Sequence, residues 1–189
     1  MSVKAEGVGY ASHYYSMTRL EVTGTLNRQR CHGLAWMDHE FFTAQLAPEQ
    51  IGWDWLSLQL DNNTELMLFQ IRRKDGTIDP FSAGTFVDTQ GHSHHLNATD
   101  FQLQPAGDAW ISPETNAKYP IHWKVGVPVP GIELDATTLL PSQELNSKSR
   151  HSPSYWEGAV SSKGTRSGAP LRGSGYLEMT GYDHPVDLQ

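Results

Sequence analysis

Residues 33–42 read GLAWMDHEFF, placing Asp38, His39 and Glu40 behind Trp36 in a stretch that otherwise has the composition of an apolar strand. Carboxylates and imidazoles are rarely buried unless paired, so the cluster either lies on a solvated edge or has chemistry to do. Two further stretches repeat the theme. Residues 52–55, GWDW, set Asp54 between Trp53 and Trp55, and Tyr155-Trp156-Glu157 is followed by Glu178 and Tyr182 in GYLEMTGY. A carboxyl group among indole rings has its charged form disfavoured by desolvation and becomes a proton donor. A neighbouring imidazole donates and accepts, and the negative face of an indole stabilises positive charge. Each residue also has a plain structural reading: tryptophans as packing, Glu157 and Glu178 turned to water, Asp54 as acceptor for an indole N–H, and Asp38 to Glu40 as an ion-pair or capping network.

Other reactive patterns carry less. His92-Ser93-His94-His95 puts two imidazoles at i and i+2, but it follows the turn Thr89-Gln90-Gly91 and no acidic or cysteine ligand stands at a suggestive spacing, so a surface strand start is expected rather than a metal site. There is no Gly-x-Ser-x-Gly elbow and no phosphate-binding glycine loop, which removes support for a serine hydrolase or a nucleotide enzyme. No metal or cofactor is expected. The single cysteine, Cys31, cannot close an internal disulfide.

These residues have to be positioned by 189 amino acids, enough for one ordinary domain with a sizeable core. The expectation is a single domain over residues 1–182 with a flexible tail at 183–189. The net charge of −7 is spread along the chain without a basic block, which excludes an electrostatic footprint for nucleic acid or an anionic membrane. No apolar run reaches membrane-span length, and MSVKAEGVGY lacks the regions of a secretory signal.

Short period-2 runs broken by turn residues dominate, and helical periodicity is almost absent. Strands are predicted at residues 14–26, 31–40, 52–60, 64–73, 82–88, 93–96, 100–104, 121–128, 132–139, 155–162 and 171–182, with a short helical turn within 41–50. Asp61-Asn62-Asn63 marks a hairpin, Lys74-Asp75-Gly76 another turn, and Lys163–Ala169 a longer one. The segments 141–153 and after Tyr182 read as least ordered. About ten short-linked strands suit an antiparallel up-and-down barrel with a ligand cavity, a β-sandwich being the alternative. Aromatic rings interleaved with isolated carboxylates read as a mainly apolar pocket with few polar groups.

The order of motifs adds to this. Tyr14-Tyr15-Ser16, Val22-Thr23-Gly24-Thr25-Leu26, Gly33-Leu34-Ala35-Trp36-Met37-Asp38-His39-Glu40, Gly52-Trp53-Asp54-Trp55, Glu65-Leu66-Met67-Leu68, Tyr155-Trp156-Glu157-Gly158-Ala159-Val160 and Gly175-Tyr176-Leu177-Glu178-Met179-Thr180-Gly181-Tyr182 together resemble the hydroxyneurosporene synthase, or carotenoid hydratase, family. Glu40 and Phe41 make the chain more similar to that family's predicted secreted hydrolase branch, and only the later part of a typical two-halved member is matched. The resemblance implies a lipocalin-like fold and a hydrophobic small molecule, isoprenoid or lipid, as ligand. It also implies acid-catalysed hydration or a related proton transfer, with a non-catalytic carrier at the cell envelope as the alternative. Asp38, His39 and Asp54 are then the catalytic candidates, with Asp38 favoured as acid and His39 orienting it or activating water. Trp36, Glu40, Trp53, Trp55, Tyr155, Trp156, Glu157, Glu178 and Tyr182 are the substrate-binding candidates. A second lipocalin-like half or a homo-oligomer is the implied partner, and family members are often secreted, periplasmic or lipid-anchored.

Overall fold

The computed structural model describes residues 2–7, 9–42, 46–146 and 153–186. The chain forms two compact units, Met1–Gln45 and Leu46–Gln189. Every helix or strand among the described residues is a β-strand, as the period-2 runs predict. No helix among them is long and apolar enough to cross a membrane.

The first unit is a long ribbon. Strands β2 (Ala11–Leu26) and β3 (Gln29–Phe42) pair antiparallel, and the short β1 (Ser2–Val3) adds to β2. The connection is the two-residue turn Asn27-Arg28, both residues at positive φ (50° and 66°), the geometry that matches the right-handed twist of the flanking strands. It is shorter than the interval between the strands predicted at 14–26 and 31–40, because Gln29 and Arg30 already pair with Leu26 and Thr25. An irregularity between Met17 and Leu20 inserts one extra residue opposite β3, so pairing resumes at Leu20 with Ala35.

The second unit is a curled antiparallel half-barrel of the lipocalin-like class. One meander runs through β4 (Gln50–Leu60), β5 (Glu65–Arg73), β6 (Ala83–Val87) and β7 (Ser93–Asn97). A second includes β8 (Gln102–Pro105), β11 (His122–Val127), β12 (Ile132–Thr137), β14 (Tyr155–Arg166) and β15 (Ala169–Thr180). Pairing of β15 with β4 fuses them into one sheet, and the hairpin β9 (Ala109–Ile111) with β10 (Lys118–Pro120) stands apart from it.

Alternation then sorts the side chains. Leu56, Leu58 and Leu60 of β4 share a face with Leu66 and Leu68 of β5, Leu177 and Met179 of β15, and Trp156 and Val160 of β14, and all are buried in one hydrophobic cluster. Each fully buried large side chain contributes about 1.5–3 kcal/mol. At one end of the sheet Gly52 and Gly181 let β4 and the end of β15 touch: a Cβ on Gly52 would lie 2.4 Å from the Thr180 carbonyl oxygen, and one on Gly181, at φ +70°, 2.1 Å from that of Ile51. That close approach lets Asp54 meet the Tyr182 hydroxyl.

Several boundaries differ from the sequence reading. The predicted turn at Lys163–Ala169 shrinks to Ser167-Gly168, because Lys163 to Arg166 continue the ladder with Ala169 to Arg172. The segment expected to be least ordered contains β13 (Glu144–Leu145), paired with Tyr155 and Trp156. Its anchor is the Glu144 carboxylate, which accepts hydrogen bonds from the hydroxyls of Thr115 (2.6 Å), Tyr119 (3.0 Å) and Ser112. The helical turn expected within 41–50 falls partly on residues 43–45, outside the described residues. So do residues 147–152 of the 141–153 segment and residues 187–189 of the tail. Phe41 and Phe42 belong to β3.

Candidate functional site

The tight turn at Asn27-Arg28 sets the register as far as Leu20 with Ala35, and the extra residue between Met17 and Leu20 shifts it by one, which brings Ser16 opposite Asp38 and Tyr14 opposite Glu40. Cross-strand partners share a face, and so do residues two apart, which adds Trp36 to the same side. Three donors converge on Asp38. Its Oδ1 accepts from Ser16 Oγ (2.5 Å) and from Trp36 Nε1 (2.7 Å), and its Oδ2 accepts from Tyr14 Oη (2.6 Å). The carboxyl is half-buried and its orientation is fixed by three separate side chains. Farther along the face Glu40 receives the ammonium of Lys4 at 2.6 Å, a lysine only 4% exposed.

His39 turns to the opposite face. Its Nδ1 meets Tyr15 Oη at 2.7 Å, and its ring stands 5.6 Å from that of Phe41, which stacks on His13 at 5.0 Å. Adjacent in sequence, Asp38 and His39 thus have separate surroundings: Tyr14, Ser16 and Trp36 orient the acid, and Tyr15 orients the imidazole. The sequence motif contains Tyr14 and Ser16, yet only the hairpin register shows that they bond Asp38.

In the second unit Asp54 lies on the core face and is completely buried. Its carboxylate accepts from Tyr182 Oη (2.9 Å), Arg72 Nε (3.2 Å) and Gln70 Nε2 (3.3 Å). The Arg72 guanidinium also stacks over the Tyr182 ring at 4.1 Å and donates to the Thr180 carbonyl. Desolvation pushes the Asp54 carboxyl above its ordinary pKa, with Arg72 and the hydrogen bonds pulling back. Burial likewise raises Tyr182, and the nearby Asp54 charge raises it further. The ring stack continues to Tyr119 (5.2 Å) and Trp110 (6.0 Å). Asp54 therefore does not accept an indole N–H as one sequence reading had it.

Trp53, Trp55, Tyr155, Glu157 and Glu178 occupy the other face of the same sheet. The Trp53 indole donates to Glu178 Oε1 (2.6 Å) and its ring meets Tyr155 edge-on at 6.3 Å. Glu157 stands directly opposite Glu178 and accepts from Tyr176 Oη at 3.3 Å. Burial and these two carboxylates push the Tyr155 phenol up to about 12. Trp156 points the opposite way into the core, fully buried, with its indole on the Pro141 carbonyl (2.6 Å). The sheet therefore separates Trp53, Trp55 and Tyr155 from Trp156 and Tyr182, which sequence reading had placed around one cavity. Arg72, Gln70, Tyr119 and Glu144 were not singled out from sequence. Arg72 was the findable one, an arginine next to the end of the largely apolar strand ELMLFQIRR. The exposed His92 and His94 both meet Asp88, at 3.4 and 3.0 Å.

A family model described as AttH-like matches residues 1–182. The chain belongs to the AttH-like family. Among solved structures, this AttH-like chain is 37% identical to a Nitrosomonas europaea protein provisionally assigned as AttH, with a TM-score of 0.80 over 96% of the present chain and 56% of that one. It shares the fold of kievitone hydratase from Nectria haematococca at a TM-score of 0.70 and 16% identity, over 92% of the present chain and 53% of the hydratase. The AttH-like chain thus spans little more than half the length of both. No curated protein matches it. These likenesses support a lipocalin-like family, and none of them names the hydroxyneurosporene synthases that the motifs resemble.

Proposed function

We propose that this AttH-like chain carries the proton-transfer site of an enzyme that adds water to a carbon–carbon double bond of an apolar small molecule, isoprenoid or lipid in class, or removes it. The observation that carries this reading is the Asp38 carboxyl, held by Tyr14, Ser16 and Trp36 at a half-buried position. In the hydration direction the proton on Asp38 Oδ2 passes to one alkene carbon, leaving a carbocation on the other. The face of the Trp36 ring stabilises that charge. Water then adds to the cation and loses its extra proton to the Asp38 carboxylate, so the acid is restored and the product differs from the alkene by one water. The hydroxyneurosporene synthase resemblance and the fold shared with kievitone hydratase both support this reaction class.

Asp54 is assigned the other task. With no exposed surface and an arginine, a tyrosine and a glutamine on its oxygens, it holds the end of the half-barrel together. A carrier of the lipocalin type needs a hollow on the inner face of its sheet, and here that face is filled by Leu56, Leu58, Leu66, Leu68, Trp123 and Trp156. The enzymatic reading is preferred for that reason. Incubating the protein with a panel of isoprenoid and unsaturated fatty-acid substrates, with mass spectrometry of the recovered ligand, tests it. Gain or loss of one water is the expected result, and recovery of bound but unchanged ligand would favour the carrier.

A further inference from the structure

Two buried side-chain oxygens among the described residues meet no hydrogen-bond partner, Ser12 Oγ and Ser162 Oγ. Ser12 stands on the face of the ribbon that carries Asp38. Along β2, Ser16 lies opposite Asp38, Tyr14 opposite Glu40 and Ser12 opposite Phe42, and residues two apart share a side. Ser12 has Ser2 of β1 on its other flank and is only 1% exposed. A hydroxyl withdrawn from water without a partner is costly, and proteins satisfy such groups with an ordered water. That water needs a second polar neighbour, and Glu40 supplies one. Its Oε1 takes the Lys4 ammonium at 2.6 Å, while Oε2 accepts from no donor among the described residues. Glu40 is diagonal to Ser12 across the β2–β3 ladder, at a Cβ separation of roughly 7 Å that the length of a glutamate and one water span.

We infer that Ser12 and Glu40 hold the water that adds to the double bond. The inference rests on the proton-transfer reading of Asp38 and adds to it the place of the nucleophile. Asp38 and Glu40 are two residues apart on β3, so their Cβ atoms stand about 7 Å apart along the strand. In glycoside hydrolysis, carboxyl groups about 6.5–9.5 Å apart admit a reacting bond and a water between them. The proton leaves Asp38 for one alkene carbon, and the water oxygen, lying toward Glu40, forms its bond to the cationic carbon. The extra proton on that oxygen then returns to the Asp38 carboxylate, so Glu40 ends as it began. Ser12 touches no substrate carbon and is a positioning residue, acting through the water. Acid and water rise from the same face of one ribbon, so hydrogen and hydroxyl are added to the same side of the double bond.

Turnover of oleic acid, geraniol and squalene in D₂O, followed by mass spectrometry and NMR, tests the inference on wild type, Ser12→Ala, Glu40→Gln and Ser162→Ala. Wild type is expected to form mainly alcohol, with deuterium and hydroxyl added to the same side. In Ser12→Ala and Glu40→Gln the cation, with its water misplaced, should instead lose a proton to the Asp38 carboxylate. Deuterium then enters recovered alkene, and the alcohol fraction falls severalfold. Ser162→Ala, which removes the other unpartnered hydroxyl, should partition as the wild type does. Both serine variants should melt as wild type, since neither loses a hydrogen bond within the protein, and a merely structural Ser12 would not move the partition. A crystal structure of the wild type should also show an ordered water between Ser12 Oγ and Glu40 that is missing from Ser12→Ala. An unchanged alcohol fraction in Ser12→Ala, addition to opposite sides, or no such water would overturn this inference and leave Asp38 as the acid. No deuterium on carbon from wild type would overturn the reading of Asp38 and this one with it.

Discussion

Asp38→Asn is expected to reduce turnover by about 10²–10⁴-fold or more, the range associated with a positioned proton-transfer group, while binding of the apolar ligand changes little. Asparagine keeps the size and planarity of aspartate and loses only the transferable proton. Its carbonyl oxygen can still accept from Ser16 and Trp36, and the Tyr14 hydroxyl, which now donates to Oδ2, can rotate to accept from the new amide. Folding stability should therefore stay within about 1 kcal/mol of wild type, the net worth of one neutral hydrogen bond. Tyr14→Phe gives a partial effect, a loss in kcat without loss of fold, because Tyr14 positions the acid without replacing it. Steady-state kinetics with a melting curve on each variant checks both expectations. Unchanged activity in Asp38→Asn would remove Asp38 from the mechanism.

Asp54→Ala should act on stability instead, costing about 3–5 kcal/mol, because it leaves the Arg72 guanidinium and the Tyr182 hydroxyl without their buried acceptor. For a chain of this size that corresponds to a fall in Tm of about 10 °C. Tyr182→Phe, which removes one hydrogen bond and keeps the ring under Arg72, should cost only about 1 kcal/mol. The pair also sets a pH dependence. Burial raises the folded pKa of Asp54 above its unfolded value, so folding takes up a proton in that interval. The contribution of the carboxyl is thus fully present below the unfolded value, about 3.9, and is lost as pH rises through the folded one. Asp54→Asn, neutral at every pH, should flatten the slope of Tm against pH just above pH ~4. Thermal denaturation followed by circular dichroism measures all three variants.

What the sequence discloses here is mainly what period and turn chemistry control. Asp61-Asn62-Asn63 reads as a hairpin because asparagine tolerates positive φ, and Asn63 adopts φ +60°. The alternation in GWDWLSLQL places Asp54 with the leucines and Trp53 with Trp55 on opposite faces, and the buried cluster follows that division. Trp36, Asp38 and Glu40 fall on one side of β3 for the same reason. Pairings between distant residues are not written in any local pattern. Arg72 reaches Asp54 across 18 positions and Tyr182 across 128, and Glu144 collects hydroxyls 25 to 32 positions away. Polar composition also misleads where a strand lies half in water. Lys163 to Arg166 look like a loop, yet they extend the β14–β15 ladder, with Lys163 exposed and the Arg166 guanidinium over the Phe86 ring at 5.1 Å. The notion of one aromatic cavity fails for a related reason: neighbours in sequence such as Tyr155 and Trp156 project to opposite sides of a strand.

Turnover in heavy water is the most direct measurement of the central proposal. If Asp38 protonates the alkene, wild-type protein incubated with its substrate in D₂O forms an alcohol carrying one new carbon-bound deuterium next to the carbon that receives the hydroxyl, and Asp38→Asn forms essentially none while still binding the substrate. Recovery of ligand with no added water and no carbon-bound deuterium, from wild type as from Asp38→Asn, would contradict it.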